Sequence, residues 1–420
     1  MSHLNYLRPV SRFVVCLVIL LTGAGLVDAL AQEPAAKPGT VRPEIGKPVQ
    51  AALDLLKQKK GKDALAKVRE TEAVADKTPH EIFLIDQVRG QAAALAGEAS
   101  VAARAFEAAA NSAAAADKEK LQFLAAAAGQ YYLAKDYPKS ADLAGRYFKD
   151  GGGDKALRTL QVQALYLSNN YAAAAKELLA DIQADEQAGK APTEERLQLL
   201  SNAYLKQQNL AGYATAMEKL VAYHPKPDYW LAVIHSMKSR PGFPDRLAID
   251  VGRLQLATGT MRNATEFVEA AQLSLQAGFP AEARKFIDAG YAAGLLGSGP
   301  EADRHKRLKD LAAKNLAEDA KTLGQDDAQL AAAKDGNAAL NSGLNYVLHG
   351  RADKGLAMME SGLAKGGMKH IDDARLRLGY AYYLAGHTQK AVQMFKKLQD
   401  AEGTGALARL WAIRLGQAGN

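Results

Sequence analysis

The chain has 420 residues, 48% of them hydrophobic, and it carries a formal net charge of +7. Such a length ordinarily means two or three globular domains, unless the chain is an array of repeats that pack on their neighbours. The single cysteine, Cys16, excludes a disulfide framework and a site built from several thiolate ligands within the chain.

The first predicted element is a signal peptide over residues 1–31. Arg8 and Arg12 supply a positive n-region, an apolar stretch follows, and a small-x-small cleavage site ends at Ala31. Gln32 is therefore the expected mature N-terminus. An uncleaved membrane anchor is the alternative, but the apolar stretch is shorter than the roughly 20 residues that span a bilayer. We expect a periplasmic protein without stable membrane insertion.

The charge of the mature chain bears on its partners. Cleavage would remove two arginines and one aspartate with residues 1–31, which changes the net charge from +7 to +6. In an exported protein this basicity favours acidic proteins or anionic envelope polymers over nucleic acid as partners. The alternative is that so small a net charge, spread over the whole chain, is ordinary and does not indicate a partner.

The segment after the signal is predicted to be a flexible linker, because residues 32–47 carry three prolines and no helical periodicity. Beyond it the apolar periodicity predicts helix after helix, since no run of alternating β-branched residues appears. A helical repeat array is expected over residues 48–323 and further hairpins over 337–420. The polar segment between them indicates a break, and a continuous array is the alternative.

Four segments share one spacing of small and bulky residues. A small residue is followed seven residues later by a glycine, then by a small residue and a bulky one: Gly90, Gly97, Ala102, Phe106; Ala271, Gly278, Ala283, Ile287; Gly343, Gly350, Gly355, Met359; and Gly379, Gly386, Ala391, Phe395. We interpret each segment as an αα-hairpin in which facing small residues let the helices cross closely and the glycine makes the turn. Such hairpins bury their apolar faces only by stacking, which predicts an all-α solenoid.

The last of these segments, residues 378–398, resembles the tetratricopeptide repeat (TPR) family. The consensus positions of that family are occupied by Leu378, Gly379, Tyr382, Gly386, Ala391 and Phe395. The resemblance covers most of residues 50–290 and 337–398, and it implies a superhelix of hairpins whose first helices line a concave, peptide-binding groove. The whole chain also resembles exported proteobacterial TPR proteins, a likeness that implies no activity.

The resemblance also implies roles for two neighbouring tyrosine positions. Rings at the consensus position should pack between helices: Tyr131, Tyr204, Tyr346 and Tyr382. The candidate partner-binding groove comprises Tyr132, Tyr166, Asn202, Tyr380 and Tyr383. The alternative is that these rings also pack between hairpins. Gln198 stands where the carboxylate clamp of the family has lysine, and an amide brings no charge, so capture of an acidic C-terminus is not expected.

The densest basic cluster is either a solvated helix face or a patch for an anionic partner. It consists of Arg304, His305, Lys306, Arg307 and Lys309. Signals for catalysis are poor, because the sequence has no nucleophile motif or phosphate-binding loop, and no two histidines beyond the signal have the i, i+4 spacing of metal ligands. We therefore nominate no catalytic, cofactor-binding or metal-binding residue.

Three hypotheses for the function follow. The first is a periplasmic scaffold or adaptor that binds a protein or peptide in its groove. The second is a module that binds an envelope polymer or glycan. The third, an enzyme with a helical-solenoid body, would need a catalytic acid in a cleft, and no residue of the sequence indicates one.

Overall fold

A computed structural model describes residues 40–417, so the predicted signal peptide lies outside the described residues. Within that range the chain is all-α, with twenty-one α-helices, two short 3₁₀ turns and no strand. It comprises two compact units, unit 1 up to Asp181 and unit 2 from Ile182 onward. No helix in the described range has both the length and the apolar character that crossing a membrane requires. The predicted all-α fold is confirmed.

Unit 1 is a stack of αα-hairpins. Its helices are α1 (Pro43–Lys57), α2 (Gly61–Arg69), α3 (Pro79–Ala96), α4 (Ala99–Asn111), α5 (Asp117–Leu133), α6 (Tyr137–Lys149), α7 (Lys155–Leu167) and α8 (Tyr171–Gln187), which contains the division between the units. From α1 to α7, each helix packs on the next through a short connection. One apolar core runs along the stack from Ile45 in α1 to Leu157 in α7.

The first helix begins inside the segment that the sequence predicts as a linker. Pro43–Lys57 is helical and buries Ile45 and Val49, so the linker prediction is wrong for residues 43–47. Pro43 stands in the first turn, where a helix needs no backbone N–H donor, and proline therefore starts this helix instead of preventing it. Residues 32–39 of the predicted linker lie outside the described residues.

The start of α1 is tied to α3 by a buried carboxylate. The Arg42 backbone N–H and Nε both donate to Glu81 Oε1 at 3.0 Å, and Arg42 Nη2 donates to Oε2 at 2.9 Å. Glu81 also completes the capping box of α3, accepting from the Thr78 N–H at 2.8 Å. The hydrogen bonds from Arg42 lower the pKa of Glu81 to about 2.

This carboxylate should make the stability of unit 1 depend on pH. Because the pKa of Glu81 is lower in the folded state, its stabilisation is fully present above its ordinary pKa of 4.5 and is lost as the pH falls toward about 2. We expect Glu81→Gln to be less stable than wild type at neutral pH, because the variant lacks this contribution. The difference in the free energy of unfolding between the two proteins should become smaller as the pH falls from 4.5 to 2. Urea unfolding of both proteins across this range measures the difference, and parallel pH curves would refute the prediction.

Unit 2 contains the remaining hairpins. Its helices after α8 are α9 (Glu194–Lys206), α10 (Leu210–Tyr223), α11 (Pro227–Lys238), α12 (Ala248–Thr258), α13 (Ala264–Gln276), α14 (Pro280–Ala292), α15 (Ala302–Thr322), α16 (Asp327–Ala332), α17 (Asn337–Leu348), α18 (Ala352–Lys365), α19 (Ile371–Leu384), α20 (Thr388–Lys396) and α21 (Gly405–Gln417). Helices α17 to α21 pack in sequence, and α21 returns to pack on α10 and α12.

Unit 2 does not divide where the sequence indicates a break. The segment 324–336 contains the short helix α16, and residues on both sides of it belong to the same compact unit. Arg409 Nε donates to Glu218 Oε2 at 3.0 Å, and Arg246 Nε donates to Asp373 Oδ2 at 2.7 Å. These pairs join residues more than 100 positions apart in the sequence, a pairing that hydrophobic periodicity does not reveal.

The turn glycines behave as the sequence predicts. Each ends the first helix of its hairpin in the left-handed region, with φ between 78° and 80°: Gly97, Gly278, Gly350 and Gly386. Lys135, Asn169 and Gln208 adopt the same conformation with φ of 62°, 62° and 58° in the hairpins between. The turn geometry therefore recurs even where the residue is not glycine, which explains why those hairpins match the spacing weakly.

The sequence predicts that the small residue of the first helix faces the small residue of the second helix. In two of the hairpins it faces another residue. A Cβ atom added to Gly90 would lie 2.6 Å from the ring of Phe106, and one added to Gly379 would lie 2.6 Å from Phe395. These glycines therefore make room for the bulky residue of the second helix. At Gly343, where an added Cβ would lie 2.6 Å from the Gly355 carbonyl oxygen, two small residues face each other as predicted.

Candidate functional site

Three first helices of unit 1 expose a leucine at the same position of successive hairpins. Leu95 of α3, Leu133 of α5 and Leu167 of α7 are 43%, 44% and 43% exposed. Each lies two residues before the left-handed residue of its turn. Because hairpins of this kind stack in register, the three leucines occupy equivalent sites on neighbouring helices. Their recurrence distinguishes them from exposed leucines scattered singly over a surface, which need no explanation.

Tyr132 and Tyr166 lie beside these leucines and are half-buried. Each ring makes an edge-to-face contact with a tyrosine at the start of the second helix, Tyr132 with Tyr137 at 5.4 Å and Tyr166 with Tyr171 at 5.2 Å between centroids. The Tyr132 hydroxyl donates to Gln163 Oε1 of α7 at 3.2 Å. Both rings are thus fixed against their own hairpin while part of each surface stays accessible.

We call Leu95, Leu133, Leu167, Tyr132 and Tyr166 the leucine–tyrosine face. Burial raises the pKa of both tyrosines, so their hydroxyls remain neutral hydrogen-bond donors at physiological pH. The tyrosines belong to the predicted groove, whereas the leucines were not predicted. Their shared position relative to the turn residue is the sequence signal that identifies them.

In unit 2 the predicted groove tyrosines are covered. Tyr380 is only 6% exposed, and Trp411 of α21 lies 5.7 Å from its ring and 5.2 Å from the ring of Tyr383. The assignment of Tyr380 to an open groove is therefore wrong, and Tyr383 is half-buried against the same tryptophan. The physical reason is that α21 folds back onto the helices that present these rings.

The remaining predicted groove residue, Asn202 of α9, is exposed. One turn before it, Gln198 Nε2 donates to Glu194 Oε1 at 3.3 Å and also to the hydroxyl of Tyr229. The amide that stands at the position of the clamp lysine is therefore engaged by a carboxylate of the same chain.

The predicted basic cluster is not one surface patch. His305 is 5% exposed, and its Nδ1 accepts a hydrogen bond from the Gly297 N–H at 3.2 Å, so the prediction that it faces an anionic partner is wrong. Arg304 pairs with Glu301 at 3.2 Å, and the Lys309 ammonium lies 4.3 Å from the centroid of the Tyr291 ring. Lys306 and Arg307 are exposed, and they remain the accessible part of the cluster.

A buried ionic network in unit 2 was not predicted. Arg253 of α12 donates through Nε and Nη2 to the carboxylate of Glu282 of α14 at 2.9 and 2.7 Å. Its Nη1 donates to Asp250 at 2.6 Å, and its guanidinium lies 4.8 Å from the centroid of the Tyr380 ring of α19. The network therefore joins three helices. A charged residue inside the apolar run of α12 is the sequence signal that could have indicated it.

The chemistry of the network is that of a closed structural element. Burial alone would lower the pKa of Arg253, but Glu282 and Asp250 raise it above its ordinary value. Burial, together with Glu282, raises the pKa of Tyr380 well above 10.0. The Tyr380 hydroxyl therefore stays neutral and Arg253 stays charged at physiological pH, and the network holds α12, α14 and α19 together.

The consensus tyrosines connect each hairpin to the element before it. Tyr131, Tyr346 and Tyr382 are buried as predicted, whereas Tyr204 is only half-buried. The Tyr346 hydroxyl donates to Asp327 Oδ2 at 2.8 Å and accepts from Lys354 at 2.8 Å.

Tyr131 makes the equivalent contacts with Glu107 of the preceding hairpin and with Lys139. In both cases the lysine follows eight residues after the tyrosine. Gly212 occupies that position after Tyr204 and leaves room for its ring, since an added Cβ would lie 2.5 Å away.

Among residues 40–417, no three side chains of histidine, cysteine, aspartate or glutamate lie close enough together to hold a metal ion. The candidate functional surface of unit 1 consists of apolar, aromatic and amide groups. The charged groups of the network in unit 2 are buried, with Arg253, Asp250 and Glu282 all closed to solvent.

No model of a protein family and no curated protein matches the chain. Solved structures to which it is similar include the complex of the TPR2AB domain of yeast Sti1 with pHSP90, at 12% identity and a TM-score of 0.23 over 71% of this chain and 99% of that chain. Yeast Tom70 is similar at 11% identity and a TM-score of 0.24, over 89% of this chain and 96% of that chain.

Proposed function

We propose that the protein is a periplasmic scaffold or adaptor that binds a protein or peptide partner through the leucine–tyrosine face of unit 1. The recurrence of an exposed leucine at one position of three successive hairpins carries the proposal, because apolar side chains repeated on stacked helices offer one partner several contacts. Tyr132 and Tyr166 supply large rigid rings with polar tips, which suit an interface.

The geometry favours an extended or helical segment with regularly spaced apolar side chains. The three leucines lie on stacked helices, so a partner that contacts all of them must cross the helices instead of entering one pocket. Gln163 accepts a hydrogen bond from the Tyr132 hydroxyl. Its amide lies between the tyrosines, where it can pair with a polar group of a peptide. The proposed role is therefore binding through the leucine–tyrosine face.

The face can be tested with a photoreactive residue placed at Leu133 in the intact cell. We expect a discrete cross-linked protein or peptide, which is then identified and purified for affinity measurements. Leu133→Ser combined with Leu167→Ser should weaken its binding by at least about tenfold, the loss expected when central apolar contacts of an interface are removed.

The matched control uses exposed leucines of unit 2. Leu210 and Leu311 are 55% and 48% exposed, so Leu210→Ser with Leu311→Ser removes similar apolar surface elsewhere. The control should keep wild-type affinity. Equal weakening by both double variants would contradict the assignment to unit 1. Binding of purified envelope polymer in place of any protein would favour the glycan-binding hypothesis.

The periplasmic location is tested separately. The n-region, apolar region and cleavage site of residues 1–31 support export, and the mature protein should begin at Gln32 and appear in the periplasmic fraction. Intact mass of the protein released by osmotic shock decides this. A membrane-bound form that retains Met1 would contradict both cleavage and release.

A further inference from the structure

A third position of each first helix borders the leucine–tyrosine face. Four residues before the exposed leucine stand Gln91 in α3, Gly129 in α5 and Gln163 in α7, and all three are half-buried. Residues four positions apart lie on the same side of a helix, so these residues are neighbours of the leucines. Each of the three helices thus presents the same three positions, which hold the leucine, the residue before it and the residue four before it.

These positions carry no charge. Charged residues make up 24% of the chain, yet the three positions of α3, α5 and α7 hold only leucine, tyrosine, alanine, glutamine and glycine. A charged segment would lose hydration on this surface without gaining an ion pair, which costs free energy. The face therefore favours a partner segment that is uncharged where it makes contact.

The face also offers hydrogen-bond donors. Gln163 Oε1 accepts from the Tyr132 hydroxyl at 3.2 Å, which leaves Nε2 of this amide to donate elsewhere. Among residues 40–417, neither the side-chain amide of Gln91 nor the hydroxyl of Tyr166 has a hydrogen-bond partner. Such donors match a segment whose backbone carbonyls are free. A helical segment uses its own carbonyls internally and would leave these donors unmatched.

The spacing of the leucines selects among extended conformations. The rings of Phe83 in α3 and Phe123 in α5 are 5.7 Å apart between centroids, and the Tyr132–Gln163 hydrogen bond joins α5 to α7. Helices in contact lie about 8–10 Å apart, so equivalent leucines recur at about that distance. A polyproline II helix repeats its face every third residue, at about 9 Å. A β-strand repeats its face at about 7 and 13 Å, which does not match.

We propose that the leucine–tyrosine face binds a proline-rich segment in the polyproline II conformation, with an apolar side chain at every third residue. The inference rests on the proposed function and names the chemistry of the partner. Proline has no N–H, and the carbonyls of a polyproline II segment make no internal hydrogen bonds, so the segment supplies acceptors for Gln91, Gln163 and Tyr166. The tyrosine rings offer flat apolar surfaces to the pyrrolidine rings.

The test is calorimetric titration of the mature protein with three uncharged peptides. The first consists of Leu-Pro-Pro repeats, and the second has the same composition with its leucines adjacent. The third is a helix of alanine and glutamine with leucine at every seventh residue. We expect the first peptide to bind at one site per chain and the other two to bind at least about tenfold more weakly. Because the face is uncharged, salt between about 0.1 and 1 M should not weaken the binding.

Variants locate the binding on the face. Leu133→Ser with Leu167→Ser should weaken binding of the Leu-Pro-Pro peptide at least about tenfold, and Gln163→Leu should weaken it about fivefold through the loss of one hydrogen bond. Gln389→Leu removes the same amide from an exposed position of α20 and should leave binding unchanged. Every substituted residue is half-buried or exposed, so the variants should keep the circular dichroism spectrum of wild type.

Three results would overturn the inference: no binding of the Leu-Pro-Pro peptide at about millimolar concentration, binding of the second or third peptide as tight as that of the first, or binding that the leucine variant does not weaken. The proposed function has a separate test in the partner cross-linked at Leu133. If the leucine variant weakens binding of that partner while the Leu-Pro-Pro peptide does not bind, the proposed function stands and the polyproline II inference fails. Absence of both the cross-link and the peptide binding rejects both.

Discussion

Replacing Arg253 with methionine is expected to destabilise unit 2 by about 3–5 kcal/mol, the cost of leaving buried charges without their partner. The carboxylates of Glu282 and Asp250 receive three hydrogen bonds from this guanidinium, and all three side chains are buried. Methionine fills similar volume but offers no donor. Urea unfolding followed by circular dichroism measures the loss. Arg284→Met is the control, because Arg284 and Asp288 form an accessible pair worth at most about 1 kcal/mol.

A combined variant distinguishes lost charge pairing from lost packing. Adding Glu282→Gln to Arg253→Met removes the buried carboxylate that the single variant leaves without a cation, so the double variant should be more stable than the single one. Asp250 is left unchanged, because Arg377 Nη2 lies 3.5 Å from its Oδ2. A single variant as stable as wild type would show that the network contributes nothing to unit 2. A double variant no better than the single one would show that packing, and not charge, accounts for the loss.

Trp411→Ala should cost about 3–5 kcal/mol, the range for truncating a buried aromatic residue. Trp411 is among the largest fully buried side chains, and it stacks on Phe395 of α20 at 5.7 Å with an interplanar angle of 10°. It also contacts Tyr380 and Tyr383. Removing the indole leaves a cavity bounded by these three rings, since their helices cannot collapse onto it without moving.

The set of helices that Trp411→Ala destabilises distinguishes an open array of hairpins from a unit in which α21 packs on distant helices. In an open array, the loss would stay within neighbouring hairpins. Because α21 also packs on α10 and α12, we expect faster amide hydrogen exchange there as well as in α19 to α21. An increase in the exchange rate that is confined to α19 to α21 would contradict this expectation. Trp411→Phe, which keeps an aromatic ring, should show a smaller effect at the same amides.

Features repeated within each hairpin could be predicted from the sequence. The left-handed turn at Gly386 and the buried ring of Tyr382 follow from contacts inside one repeat or between adjacent ones, and such contacts produce periodic patterns. Tyr380 was misassigned because the residue that covers it, Trp411, comes from a helix outside the repeat pattern. His305 was misassigned because a loop N–H, which no motif marks, holds its ring.

In the candidate sites, too, only the residues that recur in each hairpin could be predicted from the sequence. Tyr132 and Tyr166 could be found by position, because both occur once per hairpin. Arg253 and Glu282 meet only after non-adjacent helices have packed. They lie too far apart along the chain for spacing to pair them.

The return of α21 to α10 and α12 has a consequence for the order of folding. In unit 1 the main helix–helix contacts lie within a hairpin or between neighbouring hairpins, so these hairpins can form while later residues are still being synthesised. The Arg409–Glu218 pair closes a loop of 191 residues. Unit 2 therefore cannot complete its core until α21 has emerged, and during that interval the surfaces of α10 and α12 that α21 later covers remain exposed to chaperones and proteases.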